Sequence, residues 1–180
     1  MKRIIHPLLH SLFTPVIMAF ALVACGGGGN GGGDTTTNPQ SSTSGDEKSS
    51  GNEVSQTVVI KAYDQMKYDK ESFTVSAGET IELKLKHVGS MPKSAMGHNM
   101  VVLELSADPK AFSNAAADAK DNGYIPKDME NSIIAHTKLL GGGEEDTIEF
   151  QAPEQTGEYP FVCSFPAHYA AGMKGVMIVE

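Results

Sequence analysis

Residues 80–87, Thr-Ile-Glu-Leu-Lys-Leu-Lys-His, alternate between apolar and polar side chains without a break. Side chains along a strand point to opposite faces in turn, so this pattern puts Ile81, Leu83 and Leu85 on one buried face. Further β-rich runs occur at Thr57–Tyr63, Phe73–Val75, His98–Leu105, Ser132–Ala135, Thr147–Phe150, Tyr159–Cys163 and Gly175–Val179, with turn residues between them. Short strands of this kind bury their apolar faces only against another sheet, which predicts an antiparallel β-sandwich. One stretch departs from the pattern. Asp108 to Asn122 is Ala-rich, with Asp108 placed to cap a helix, Pro109 in its first turn and Asn122-Gly123 as a stop. The expectation is an all-β fold with one helical insertion near residues 108–122.

The chain before Val54 has a different character. Lys2 and Arg3 make a basic start, and the apolar stretch at 15–24 is too short to span a membrane but suits a secretory signal. It ends in Leu22-Val23-Ala24-Cys25, which resembles the lipobox of bacterial lipoproteins, where the cysteine is lipidated and becomes the new N-terminus. Gly26 follows, and by analogy with enteric sorting this favours the outer membrane, at its periplasmic face or the cell surface. Residues 26–51 are dominated by Gly, Ser, Thr, Asn, Pro and Gln, a composition that cannot bury enough apolar surface to order itself. As a flexible chain it reaches roughly 25–30 Å. The organisation read here is a signal peptide at 1–24, a lipidated Cys25 with its linker at 25–53, and a folded domain at 54–180.

Charge and cysteine usage narrow the chemistry. The formal net charge is −8 and the one arginine is Arg3. A chain without arginine beyond its signal peptide is a poor binder of nucleic acid or phosphate, while its acidity can steer a basic partner towards it. There are two cysteines. With Cys25 acylated, Cys163 has no disulfide partner in an exported chain, and a metal ligand is a good role for such a thiol. Cys163-Ser-Phe-Pro-Ala-His168-Tyr-Ala-Ala-Gly-Met173 joins the end of one strand to the start of the next, so the thiolate, the imidazole and the thioether can converge. That soft donor set suits copper, and a second imidazole completes it. His98, in Met96-Gly97-His98-Asn99-Met100, is the best placed by sequence. Taken singly, each of these residues is more often a core or surface residue than a ligand; the Cys-x4-His-x4-Met spacing with the upstream Gly-His-Asn carries the reading. A cysteine hydrolase pairing Cys163 with His168 lacks an evident oxyanion hole. A copper storage module and a surface role in stress defence or adhesion are further alternatives.

These residues resemble the azurin and auracyanin branch of the cupredoxins across residues 55–180. The matching segments are Asp64-Gln65-Met66, Pro92-Lys93, Met96 to Asn99, Ile134 to Leu139, Cys163 to Pro166 and Met173-Lys174-Gly175. The resemblance implies a Greek-key β-sandwich holding one type 1 (blue) copper ion, and an electron carrier rather than an enzyme. It implies His98, Cys163 and His168 as equatorial ligands, Met173 as the axial one, and the Gly97 carbonyl as a distant contact opposite. Asn99 and Phe165 would stand just behind the ligands, with Asn99 tying the ligand loops together. Met66, Met91, Met96, Phe165, Ala167 and Ala170 would form an apolar docking patch around His168. His87 and His136 match histidines outside the metal shell and are read as structural. Expected partners are redox proteins such as c-type cytochromes or a copper-dependent reductase, met by a monomer on a lipid anchor. Three departures stand out: four residues rather than three separate His168 from Met173, residues 54–90 contain no Cys for the azurin disulfide, and Met100 replaces the usual tryptophan.

Overall fold

A computed structural model describes residues 53–180. The expected signal peptide, the Cys25 lipobox and nearly all of the linker lie outside the described residues. Among the described residues the strands are β1 (Gln56–Tyr63), β2 (Lys67–Tyr68), β3 (Ser72–Val75), β4 (Thr80–His87), β5 (Val101–Leu103), β6 (Ile133–His136), β7 (Glu145–Gln151), β8 (Gly157–Val162) and β9 (Lys174–Val179). They form two sheets, ordered β2-β1-β4-β7 and β3-β9-β8-β5-β6. A short helix α1 (Lys93–Met96) precedes β5, and α2 (Pro109–Ala116) follows it.

The alternating run at 80–87 forms β4 over its full length, and Ile81, Leu83 and Leu85 are fully buried. Beside them lie Val58, Ile60 and Ala62 of β1, and the second sheet contributes Val102, Tyr159, Phe161, Met177 and Val179 to the same core. Burying side chains of this size stabilises the fold by about 1.5–3 kcal/mol each. Met100, standing where the family pattern has tryptophan, is fully buried in this core.

The sandwich is not purely antiparallel, as the strand pattern suggested. β1 runs parallel to β4 and β3 parallel to β9. Between β1 and β4 the chain crosses to the other sheet to lay down β3, so it returns to the first sheet in its original direction. The expected strand at 98–105 is also shorter. His98 makes only an isolated bridge to Leu140, and the ladder begins at Val101, because the Asn99 side chain takes the place of main-chain pairing with Ser164.

The helical insertion forms in two pieces. Asp108 Oδ1 accepts from the N–H groups of Lys110 (2.9 Å) and Ala111 (3.2 Å), capping α2 at the expected place. The helix ends at Ala116, and a 3-10 turn at Lys120–Asn122 closes at Gly123, whose φ of 63° suits glycine. Phe112 and Ala116 cover Val101, Leu103 and Val162 on the outer face of the second sheet. This is why Val101, Val102 and Leu103 are all buried: β5 has an apolar layer on both sides. No helix among the described residues is long and apolar enough to cross a membrane.

Leu83→Ala opens a cavity beneath both sheets. We expect a loss of about 2–5 kcal/mol of stability, measured by chemical denaturation, with the secondary-structure signal of the folded state unchanged.

Candidate metal centre

Strand register brings the candidate ligands together. β5 pairs with β8 at Val101 and Val162, and β8 pairs with β9 at Val162 and Lys174. Continuing both ladders by one residue sets Met100 and Met173 on either side of Cys163, and the next step sets Asn99 against Ser164. The hydrogen bonds agree. Cys163 N–H donates to Met173 O at 3.1 Å, and Ser164 N–H donates to Asn99 Oδ1 at 2.9 Å. Tyr159 and Phe161 point between the sheets, and Cys163, two residues further in the same phase, is fully buried there.

The loop from Cys163 to Met173 is held by its own main chain. His168 N–H donates to Phe165 O, Ala171 N–H to Ala167 O, and Met173 N–H to His168 O. Ala167 takes a φ of 69°, a conformation that costs a residue with a Cβ about 1–2 kcal/mol. His98 arrives from α1. Gly97 before it has no room for a Cβ, which would lie 2.7 Å from Lys93 O and 2.9 Å from Leu139 Cγ. The Gly97 carbonyl oxygen lies 3.9 Å from Cys163 Sγ.

The donor atoms converge. Cys163 Sγ lies 3.4 Å from His168 Nδ1 and 4.0 Å from His98 Nδ1, and the two Nδ1 atoms are 3.2 Å apart. Bonds of about 2.0 Å to nitrogen and about 2.3 Å to thiolate sulfur, as zinc makes them, put such donors about 3.3–4.0 Å apart on one ion. Met173, also fully buried, stands immediately before β9. A buried thiol and two imidazoles facing one another bring three lone-pair donors to one point, an arrangement that a single cation satisfies. With no carboxylate in the group, soft sulfur and imidazole nitrogen favour copper over harder ions.

Burial governs the electrostatics. It lowers His98 and His168 to about 4, with His87 nearby adding to the effect, so both rings are neutral at neutral pH and present free lone pairs. Burial pushes the Cys163 thiol up to about 11, opposed by the Asn99 and Phe165 N–H groups and the Tyr68 hydroxyl, which favour the thiolate. Binding a cation therefore displaces the thiol proton. His87 is buried edge-on to His98, its Nε2 2.9 Å from Asp64 Oδ1. Asp64, whose carboxyl is lowered by the Ser90 N–H and by His87, belongs to that structural pair. His136 is exposed on β6.

Comparison with known proteins agrees with this geometry. The chain matches the family model "Copper binding proteins, plastocyanin/azurin family" over residues 54–180. It belongs to that family. Azurin-1 of Alcaligenes xylosoxydans xylosoxydans is 39% identical over 124 residues, which cover 67% of this chain and 95% of that protein. Azurin of Pseudomonas denitrificans is 37% identical over 127 residues, 69% of this chain and 98% of that protein. Among solved structures, dithionite-reduced auracyanin of Roseiflexus castenholzii aligns at a TM-score of 0.58 and 36% identity, covering 72% of this chain and 99% of its own. An azurin from Methylomonas sp. strain J aligns at 0.62 and 30%, covering 70% and 98% respectively. The sandwich is thus that of the cupredoxins, copper is the cofactor, and the family's function is electron transfer by a carrier rather than catalysis.

Within this cupredoxin, two residues the sequence did not single out support the site. Ser164 is buried and bonded through Oγ and N–H to Asn99, and Tyr68 donates its hydroxyl to Asn99 O. A short polar residue directly after Cys163 was a usable signal for Ser164. Nothing local marks Tyr68, which sits on a two-residue strand. Of the expected docking residues, Met91, Ala167 and Ala170 are exposed, while Met66, Met96 and Phe165 are half-buried.

Metal-free protein should lose stability as pH falls from about 6.5 towards 4. The unfolded chain, with histidines near 6.5, takes up protons there before native His98 and His168 do. Denaturation midpoints flat across this window would contradict it.

Proposed function

We propose that His98, Cys163, His168 and Met173 would hold one copper ion, with the Gly97 carbonyl close to the Cys163 sulfur. The protein then serves as a single-electron carrier on a lipid anchor at Cys25. The observation that supports this most directly is the mutual approach of one thiol and two imidazoles, all fully buried and within 4.8 Å of one another. When bound, copper supplies a one-electron couple at this position. The chain's own residues do the rest. The Asn99–Ser164 pairing holds the His98 and Cys163 segments in register, so the donors need not rearrange as charge changes. The surrounding core excludes water. Of His98, Cys163, His168 and Met173, only His168 keeps any exposure, at 2%. The exposed apolar side chains of Met91, Ala167 and Ala170 would offer an adaptable contact for a transient partner.

The partner we favour is a c-type cytochrome, or a copper-dependent reductase, met at the bacterial outer membrane within reach of the tether. The acidic net charge of −8 favours a basic partner surface.

Cu(II) added to the full-length protein should give an intense blue thiolate-to-copper band that bleaches reversibly with reductant and is absent from Cys163→Ala. A colourless protein, or a band that survives that substitution, would falsify the ligand assignment. Rapid electron exchange with a c-type cytochrome separates a carrier from a storage module. For the anchor, Cys25→Ser should move the protein from the membrane fraction to the soluble fraction; wild type and variant partitioning alike would refute lipidation.

A further inference from the structure

We propose that Tyr68 is a positioning residue for the copper site, acting through Asn99. The inference rests on the copper reading above. Tyr68 belongs to β2, at the edge of the first sheet, yet its side chain crosses into the core and is only 6% exposed. Its ring packs edge-on against Phe161, centroids 5.6 Å apart, in the strand that leads to Cys163. Its hydroxyl donates to Asn99 O at 2.5 Å, across 31 positions of sequence.

That bond completes the restraint of Asn99. The Asn99 side chain donates from Nδ2 to Ser164 Oγ at 2.8 Å and accepts at Oδ1 from Ser164 N–H at 2.9 Å. The carbonyl is the group left over, and Tyr68 holds it. Asn99 is thus gripped from both sheets: by Ser164 beside the thiol and by a phenol reaching across the sandwich.

The choice of residue supports a role for the hydroxyl itself. A phenylalanine would fill the same volume against Phe161 without bringing a polar group into an apolar core. Tyr159 offers a comparison inside the same protein. It too is buried and donates its hydroxyl to a main-chain oxygen, that of Gln155 at 2.8 Å, but Gln155 lies in the turn before β8 and carries no candidate ligand. Both hydroxyls tie main chain down. Only the Tyr68 hydroxyl ties down the segment next to His98.

The test compares full-length wild type, Tyr68→Phe and Tyr159→Phe. Tyr68→Phe should bind copper about tenfold more weakly, the low end for loss of a group supporting metal ligands. Its thiolate-to-copper band should shift. Its reduction potential should differ from that of wild type, because the segment beside His98 is held less firmly. In metal-free protein its Ser164 amide should exchange hydrogen faster than in wild type. Tyr159→Phe should match wild type in all four measurements, even if both variants unfold earlier. The proposal is overturned if Tyr68→Phe keeps wild-type affinity, band, potential and Ser164 exchange, or if Tyr159→Phe moves them equally. A wild-type protein that gives no blue band overturns the copper reading instead. The Ser164 exchange then still decides whether Tyr68 holds Asn99.

Discussion

The site depends on one pairing, between the side chain of Asn99 and the main chain and hydroxyl of Ser164, residues 65 positions apart. Each is the immediate neighbour of a donor, His98 in one case and Cys163 in the other. The pairing extends the β5–β8 ladder past the point where regular strand structure stops, and it does so with a side chain, which frees His98 to leave the sheet and turn inward. Closing so long a loop costs entropy, and a few polar contacts do not offset it. The burial of β4, β5 and β8 does, and the polar contacts at the end of the sheet decide which atoms finally meet.

Burial then sets the chemistry. The core that excludes water holds both imidazoles neutral and the thiol protonated, so a pocket rich in donors carries no charge of its own at neutral pH. A cation entering it finds nitrogen lone pairs in place and displaces one proton. The same core limits motion of the donors, which is the structural condition for electron exchange with little rearrangement. Rigidity and low polarity have one source here: the apolar faces that drive the sheets together also wall the metal position.

Exposure is rationed accordingly. His168 is the one donor with any exposure, and the exposed residues next to it in the loop, Ala167 and Ala170, are small and uncharged. Charge is carried on exposed positions of strands such as β7 and in surface ion pairs like Lys86–Glu145 and Lys93–Glu144. Such pairs contribute little to stability, but the acidic excess biases which partners approach. A brief apolar contact and longer-range steering by charge are separable, because steering acts before the two surfaces touch.

Much of this was legible in the chain itself, because local patterns carry it. Alternation at 80–87 specified β4 to the residue, Asp108 specified where α2 begins, and the Cys-x4-His-x4-Met spacing with Gly-His-Asn pointed to the group of donors. Side-chain periodicity and capping act over a few residues, so sequence alone determines them. What only tertiary structure decided was which distant segments meet: the parallel pairing of β1 with β4, the shortening of β5 to Val101–Leu103, the division of the insertion after Ala116, and the convergence of Tyr68, Asn99 and Ser164. Those depend on strand register and on hydrogen bonds spanning 31 and 65 positions, which no local preference encodes, because their partners become neighbours only once the two sheets close on a common core.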